Sequence, residues 1–221
     1  LTFMCFARIT DITEELAIAL KKANFRLLFV GIESFSEEVL DELGKRCDIS
    51  QVYRGLEILQ KHDLSIFFNV MMTTPASKLV DVQQTVRMAT KYFEEGFFRG
   101  ATIPAVQPVK GTPFEQMHCD FKSKIVPIEG TDHHLRVDDM IWPEDPLVRE
   151  LLRRYLDGVD QEVDTQMEKH NIIQRRPENM AMFELRFMQQ LLDEMREESP
   201  EAARQLNSLD MDLMASRAKA G

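Results

Sequence analysis

The sequence predicts an α/β fold: the C-terminal part of an incomplete (β/α) TIM-like barrel followed by an α-helical extension. Three observations predict it. Up to about residue 114, short apolar runs alternate with amphipathic helical segments. The runs end in polar residues and pass directly into helix starts, as buried parallel strands do. From Pro146 onward the periodicity is helical and charged, with Pro146, Pro177 and Pro200 placed where a first helical turn tolerates proline.

Taken in order, Thr2 to Ala7 reads as a strand. Thr10 to Glu15 reads as a capped helix start, with Ile12, Leu16, Ile18 and Leu20 as an apolar stripe reaching Ala23 or Asn24. Leu27 to Ile32 is the second strand. It leaves through Gly31, Glu33 and Ser34 into a short helix for which Ser36 or Ser34 is the cap, with Glu37 and Glu38 favourable in its first turn. That helix runs through Leu43 and stops at Gly44, a suitable left-handed terminus. Ile49 to Lys61 is amphipathic, with Val52, Leu56, Ile58 and Leu59 facing inward. Leu64 to Met72 is a third strand, Val80 to Glu95 a helix, and Ala101 to Val106 a fourth strand interrupted by Pro104. Strands spaced by helices of this length require right-handed crossovers and a parallel sheet. The division that follows is a partial barrel over residues 1–114, a connecting segment over 115–145, and helices over 146–221. The helices are expected at Leu147 to Leu156, Val159 to His170, Pro177 to Glu197 and Pro200 to Ala218.

Bulk properties narrow the function. A hydrophobic content of 44% is enough for a real core, and a formal charge of −10 opposes an unaided grip on nucleic-acid phosphates. No apolar run approaches the roughly 20 residues of a membrane span, and the N-terminus lacks the pattern of a signal peptide. Cys5, Cys47 and Cys119 are too few and too scattered for a disulfide framework, so a reducing cytoplasm is expected. The chain opens in mid-strand at Leu1 without an initiator methionine, which leads us to expect the later part of a longer protein.

In a parallel barrel, polar residues at strand C-terminal ends carry the chemistry. These are Arg8 after the first strand, Glu33 and Ser34 after the second, Asn69 within the third and Gln107 beyond the fourth. Asn69 stands among Ile66-Phe67-Phe68 and Val70-Met71-Met72. Burying an unpaired amide there would cost about 1–3 kcal/mol, so a defined partner or ligand is expected. His118-Cys119-Asp120 and Asp132-His133-His134 with Asp138-Asp139 lack ligand spacing and read as solvated loop residues, so no metal site is expected. Trp142 reads as an anchor for the connecting segment and Arg175-Arg176 as a helix junction. Met180, Met182, Met188 and Met195 read as packing residues.

An ordered set of motifs over residues 2 to 114 resembles radical S-adenosylmethionine (SAM) enzymes, of the broad class that includes coproporphyrinogen oxidases, methylthiotransferases and cobalamin-dependent methyltransferases. The set is Arg8 with Ile12-Thr13, Gly31-Ile32-Glu33-Ser34, Lys45, Asn69 through Thr74-Pro75, Thr85, and Pro108-Val109-Lys110-Gly111-Thr112-Pro113-Phe114. The resemblance implies SAM contacts from Arg8, Gly31, Glu33, Ser34, Lys45 and Asn69. Glu33, Lys45 and Asn69 would lie around the ribose and methionine parts, and backbone near Gly31 would lie close to the adenine. It also implies radical chemistry initiated by a [4Fe–4S] cluster, acting on a small-molecule or otherwise unknown substrate, with no catalytic residue assignable in this chain. Two departures stand out. The loop Thr73 to Lys78 lacks the usual glycines and glutamate, and the Cys-x3-Cys-x2-Cys cluster motif is absent, so the cluster ligands are expected upstream. Cobalamin is left unassigned, and residues 146–218 are candidates for helical contacts. Two alternatives stay open at this point: another (β/α)-barrel enzyme with Glu33 as acid or base, and a degenerate barrel serving as a scaffold.

Overall fold

The structure, a computed structural model, describes residues 1–108, 111–112, 115–116, 123–127, 134–138, 140–174 and 176–208. Four parallel strands lie in the order β1 (Phe3–Ala7), β2 (Phe25–Val30), β3 (Ser65–Thr73) and β4 (Phe98–Ala105). The crossovers are α1 (Glu14–Lys22), then α2 (Glu37–Glu42) with α3 (Ile49–Lys61), then α4 (Leu79–Glu94). Sequential strands joined by helices and paired in parallel make a partial barrel, an arc of sheet with an open concave face.

The pleat decides what each face does. On β3, Ile66, Phe68, Val70 and Met72 are buried beneath the helices, while Ser65 and Asn69 are exposed and Phe67 and Met71 half-buried on the other side. Asn69 is therefore not the buried amide that its apolar neighbours suggested. Alternation hands it to the concave face, where no partner is required of it. A row of rings crosses that face. Phe6 pairs in register with Phe29, and Phe29 with Phe67, their ring centroids 5.0 and 5.3 Å apart. Among the described residues β1 is an edge strand, and Phe6 there is 86% exposed.

Helix α1 starts later than expected. A 3-10 turn at Ile9–Asp11 precedes it, and Thr13 is the cap, accepting from the Leu16 N–H. Ile12, ahead of the helix, and Ala17 within it are buried, while Leu16 and Ile18 of the expected stripe are exposed. Ser36 caps α2, its hydroxyl accepting from the Val39 N–H at 3.4 Å.

The later part departs from expectation in two places. The segment between β4 and the helices contains an antiparallel pair, β5 (Ser123–Pro127) and β6 (His134–Asp138). The two helices expected on either side of Gly158 are one, α5 (Pro146–Lys169). A Cβ at Gly158 would stand 2.8 Å from the Phe187 ring, so the glycine admits a close neighbour and does not end a helix. Helix α6 (Pro177–Glu198) and a helix at residues 200–208, α7, follow. Val148, Leu151, Tyr155, Leu185, Leu192 and Leu206 join Leu28, Phe68, Leu59 and Val86 in one continuous core, so the helices after residue 145 cover the sheet. Among the described residues no helix is long and apolar enough to cross a membrane.

Candidate functional site

The C-terminal ends of β1 and β2 and the middle of β3 open on one cleft of about 520 Å³, lined by Arg8, Asp11, Gly31, Glu33 and Asn69 above the Phe6, Phe29 and Phe67 rings. Four of the residues singled out in the sequence thus share one wall. Lys45 joins them by reaching back from the residue after Gly44, its Nζ 3.0 Å from Glu33 Oε1. It also lines a smaller adjoining cavity with Arg8, Thr10 and Cys47, the Cys47 thiol being pushed up by burial. The Glu33–Lys45 pair is partly screened, with side chains 21% and 32% exposed, so each member keeps a face for a ligand. Gly31 sits against the pair. A Cβ there would come within 3.3 Å of both Glu33 Oε1 and Lys45 Nζ.

Glu33 itself is held in an uncommon conformation. Its φ is +68°, and the Ser34 N–H donates to the Ile32 carbonyl at 2.9 Å, closing a three-residue turn around it. An i to i+2 bond around positive φ marks the rarer hand of γ-turn. Such a conformation in a residue with a side chain costs on the order of 1–3 kcal/mol and persists only where its surroundings dictate it. From one side, the Met71 N–H donates to the Glu33 carbonyl at 2.7 Å, bridging β2's exit to β3.

Ser34 does not line the cleft. It is buried, with its hydroxyl 2.9 Å from Thr85 Oγ1 and accepting from the Ser36 N–H at 3.1 Å. The Phe35 N–H donates to Thr85 Oγ1, and the Ser36 hydroxyl donates to Asp81 Oδ1 at 2.7 Å. Burial pushes the Asp81 carboxyl up, against the opposing hydrogen bonds from Ser36 and the Lys78 N–H.

The loop after β3, short of glycines and of its own glutamate, receives a carboxylate from elsewhere. Glu42 of α2 accepts from the Ala76 N–H at 3.0 Å and from the Thr74 hydroxyl, while the Ser77 hydroxyl accepts from the Thr74 N–H at 2.8 Å. Sequence reading missed this brace, because nothing local connects residue 42 to residue 76. It also missed the ring row, which the phase of the three strands could have revealed once they were aligned in register.

Other candidates lie elsewhere. Gln107 is exposed, and Trp142 is 37% exposed. Met188 and Met195 are buried in the common core, with Met180 and Met182 half-buried. Val109, Lys110, Pro113, Phe114, His118, Cys119, Asp120, Asp132, His133, Asp139 and Arg175 lie outside the described residues. Cys5 is half-buried in β1 and Cys47 buried after α2, and among the described residues no three His, Cys, Asp or Glu side chains gather as a metal site. The described residues therefore do not fit an iron–sulfur cluster, which needs closely placed thiolates.

No curated protein matches the chain. The chain resembles the solved structure of the cobalamin-dependent S-adenosylmethionine radical enzyme OxsB with aqua-cobalamin bound. The TM-score is 0.58 at 13% identity, over 96% of this chain and 38% of that one. OxsB with aqua-cobalamin and S-adenosylmethionine bound gives a TM-score of 0.56 at 13% identity, over 98% of this chain and 38% of that one. The radical S-adenosylmethionine methyltransferase TsrM from Kitasatospora setae, with tryptophan substrate and a SAM analogue bound, gives a TM-score of 0.43 at 16% identity, over 61% and 26%. The chain thus spans well under half the length of these proteins, and the OxsB likeness establishes the fold. The Radical SAM superfamily model matches residues 2–89, which include every residue of the cleft. Over that segment the chain is similar to the radical SAM superfamily.

Proposed function

We propose that this chain is the C-terminal portion of a radical SAM enzyme and that the cleft at the ends of β1 and β2 and the middle of β3 receives S-adenosylmethionine. The observation that carries this reading is the Glu33–Lys45 pair packed against Gly31 in a cleft shared with Arg8 and Asn69. The donor set suits the ligand. A carboxylate or amide accepts from or donates to ribose hydroxyls, a cation holds a carboxylate, and the bare Gly31 leaves room that a Cβ would fill. Bound SAM supplies the adenosyl group on which the family's radical chemistry rests. The protein's part is to bind and orient. Glu33 and Asn69 face the sugar, Lys45 and Arg8 balance negative charge, and Phe6, Phe29 and Phe67 form an apolar wall that keeps water from one side of a small-molecule substrate pocket.

No step is assigned to an iron–sulfur cluster, because the described cysteines do not fit one; its ligands belong outside the described part of this chain. Cobalamin stays a property of the OxsB structures. The division at residues 114 and 145, a cytoplasmic setting, and helical contacts through 146–218 complete the reading.

Equilibrium dialysis of SAM against the complete, cluster-loaded enzyme tests it. Glu33→Leu and Asn69→Leu are each expected to lower affinity roughly threefold to more than tenfold, the worth of a lost hydrogen bond to a polar ligand. His133→Ala serves as the control and is expected to bind as the parent does. If both strand-end variants keep fold, cluster and parental affinity, the assignment of SAM to this cleft fails.

A further inference from the structure

We propose that Thr85, a helix residue outside the cleft, is a positioning residue that fixes the Glu33 carboxylate for its ligand; the ligand's identity rests on the SAM reading above. Thr85 lies in the middle of α4, where threonine has little to recommend it as a helix former. Its side chain is 1% exposed and does not line the cleft. Its hydroxyl is the point at which α4 grips the turn after β2, meeting Ser34 Oγ at 2.9 Å and accepting from the Phe35 N–H at 3.1 Å. Ser34 is the residue whose N–H closes the γ-turn around Glu33.

The consequence follows from connectivity. The Glu33 carbonyl is tied to β3 through the Met71 N–H on one side, and the residues after it are tied to α4 through Thr85 on the other. A left-handed glutamate relaxes toward ordinary φ unless both neighbours are fixed. Relaxation at Glu33 would swing its carboxylate away from Lys45 and Gly31. Asp81, one turn earlier in α4, holds Ser36 and so anchors the start of α2, its hydrogen bonds running to Ser36 and the Lys78 N–H. Thr85 alone among the residues of this network bonds to the two residues that follow Glu33.

The test compares Thr85→Val, Thr85→Ser, Ser34→Ala, Glu33→Gln and the Thr85→Val/Glu33→Gln pair in the complete enzyme. SAM dissociation constants come from equilibrium dialysis, and backbone amide exchange is followed at Ser34 and Met71. Thr85→Val, which keeps the shape and removes the hydroxyl, is expected to weaken binding about threefold to tenfold. Thr85→Ser is expected to restore it to within about twofold, because the hydroxyl returns. In the Glu33→Gln background Thr85→Val is expected to add almost nothing, since residues acting through one group are not additive. Exchange at the Ser34 and Met71 amides is expected to quicken while that of α4 is unchanged. If Thr85→Val unfolds the protein, Ser34→Ala, which leaves Thr85 in place, is expected to show the same coupling with Glu33. Additive losses in the double variant, or parental affinity in Thr85→Val beside a weakened Glu33→Gln, would overturn the proposal alone. Parental affinity in Glu33→Gln would overturn the proposal alone, since the carboxylate would then not be what the ligand needs, whereas parental affinity in both Glu33→Leu and Asn69→Leu would bring down the SAM reading, and the proposal with it.

Discussion

Gly31 and Gly55 separate two ways in which a missing side chain serves a protein. At Gly31 a Cβ would press on two side-chain ends, Glu33 Oε1 and Lys45 Nζ, each 3.3 Å away. At Gly55 it would meet the Ile9 backbone carbonyl at 2.8 Å, where α3 passes under the 3-10 turn. Gly31→Ala is therefore expected to loosen SAM binding about threefold to tenfold while leaving the melting temperature nearly unchanged. Gly55→Ala is expected to cost about 1–3 kcal/mol of stability, measured by denaturant unfolding, because backbone cannot rotate aside. The reverse pattern would remove Gly31 from the site. The residues of this cleft were legible to different degrees. Arg8, Gly31 and Glu33 could be read because strand exits in parallel sheets point to one rim, whereas Lys45, one helix further on, could be read only through the family resemblance. The direction of Ser34 could not, since the turn at Glu33 reverses which side the next side chain takes, and no local pattern announces positive φ in a glutamate. Asn69 was found for the wrong reason: its apolar neighbours suggested burial, whereas the pleat exposes it on the rim's own face.

At the scale of elements, apolar runs and caps located the four strands and four of the helices to within a few residues, because each element carries its own period. What escaped depended on partners distant in sequence. Gly158 reads as a break until Phe187, on another helix, is seen filling the space beside it. The contact between α5 and α6 also holds a titratable group. The Glu184 carboxyl is pushed up to about 7, chiefly by burial and further by Asp160. A raised acid favours its neutral form in the fold. The stability this gives is fully present below the ordinary glutamate value of 4.5 and is lost as pH climbs through about 7. Thermal melts from pH 4 to 8 are expected to show a decline on the order of 1–2 kcal/mol, discounted for partial solvent screening. Glu184→Gln is expected to flatten it. An unchanged slope in that variant would assign the decline to another group.

At the scale of the molecule, one core runs from the sheet into the later helices, so Leu185 and Leu192 stabilise the same body that carries the cleft. The division near residue 146 visible in composition is thus a change of pattern within a common interior. Cys5 in β1, Cys47 in the loop between α2 and α3, and a third cysteine outside the described residues give a further expectation for the isolated chain. Anaerobic reconstitution with iron and sulfide is expected to leave it without the visible absorption of a [4Fe–4S] cluster. A stoichiometric, cysteine-dependent chromophore would contradict this. The β1 edge governs how the isolated chain behaves in a tube. Among the described residues one flank of the strand has no neighbouring strand, and its ring-bearing side offers Phe6 to water. A second molecule could zip on along that flank, lengthening the sheet and hiding the rings at once. Sedimentation should then drift toward faster species as concentration rises, and Phe6→Lys, by planting a charge on the seam, should hold the chain monomeric. Any biochemistry attempted on this chain at high concentration would report on a glued edge as much as on a cleft.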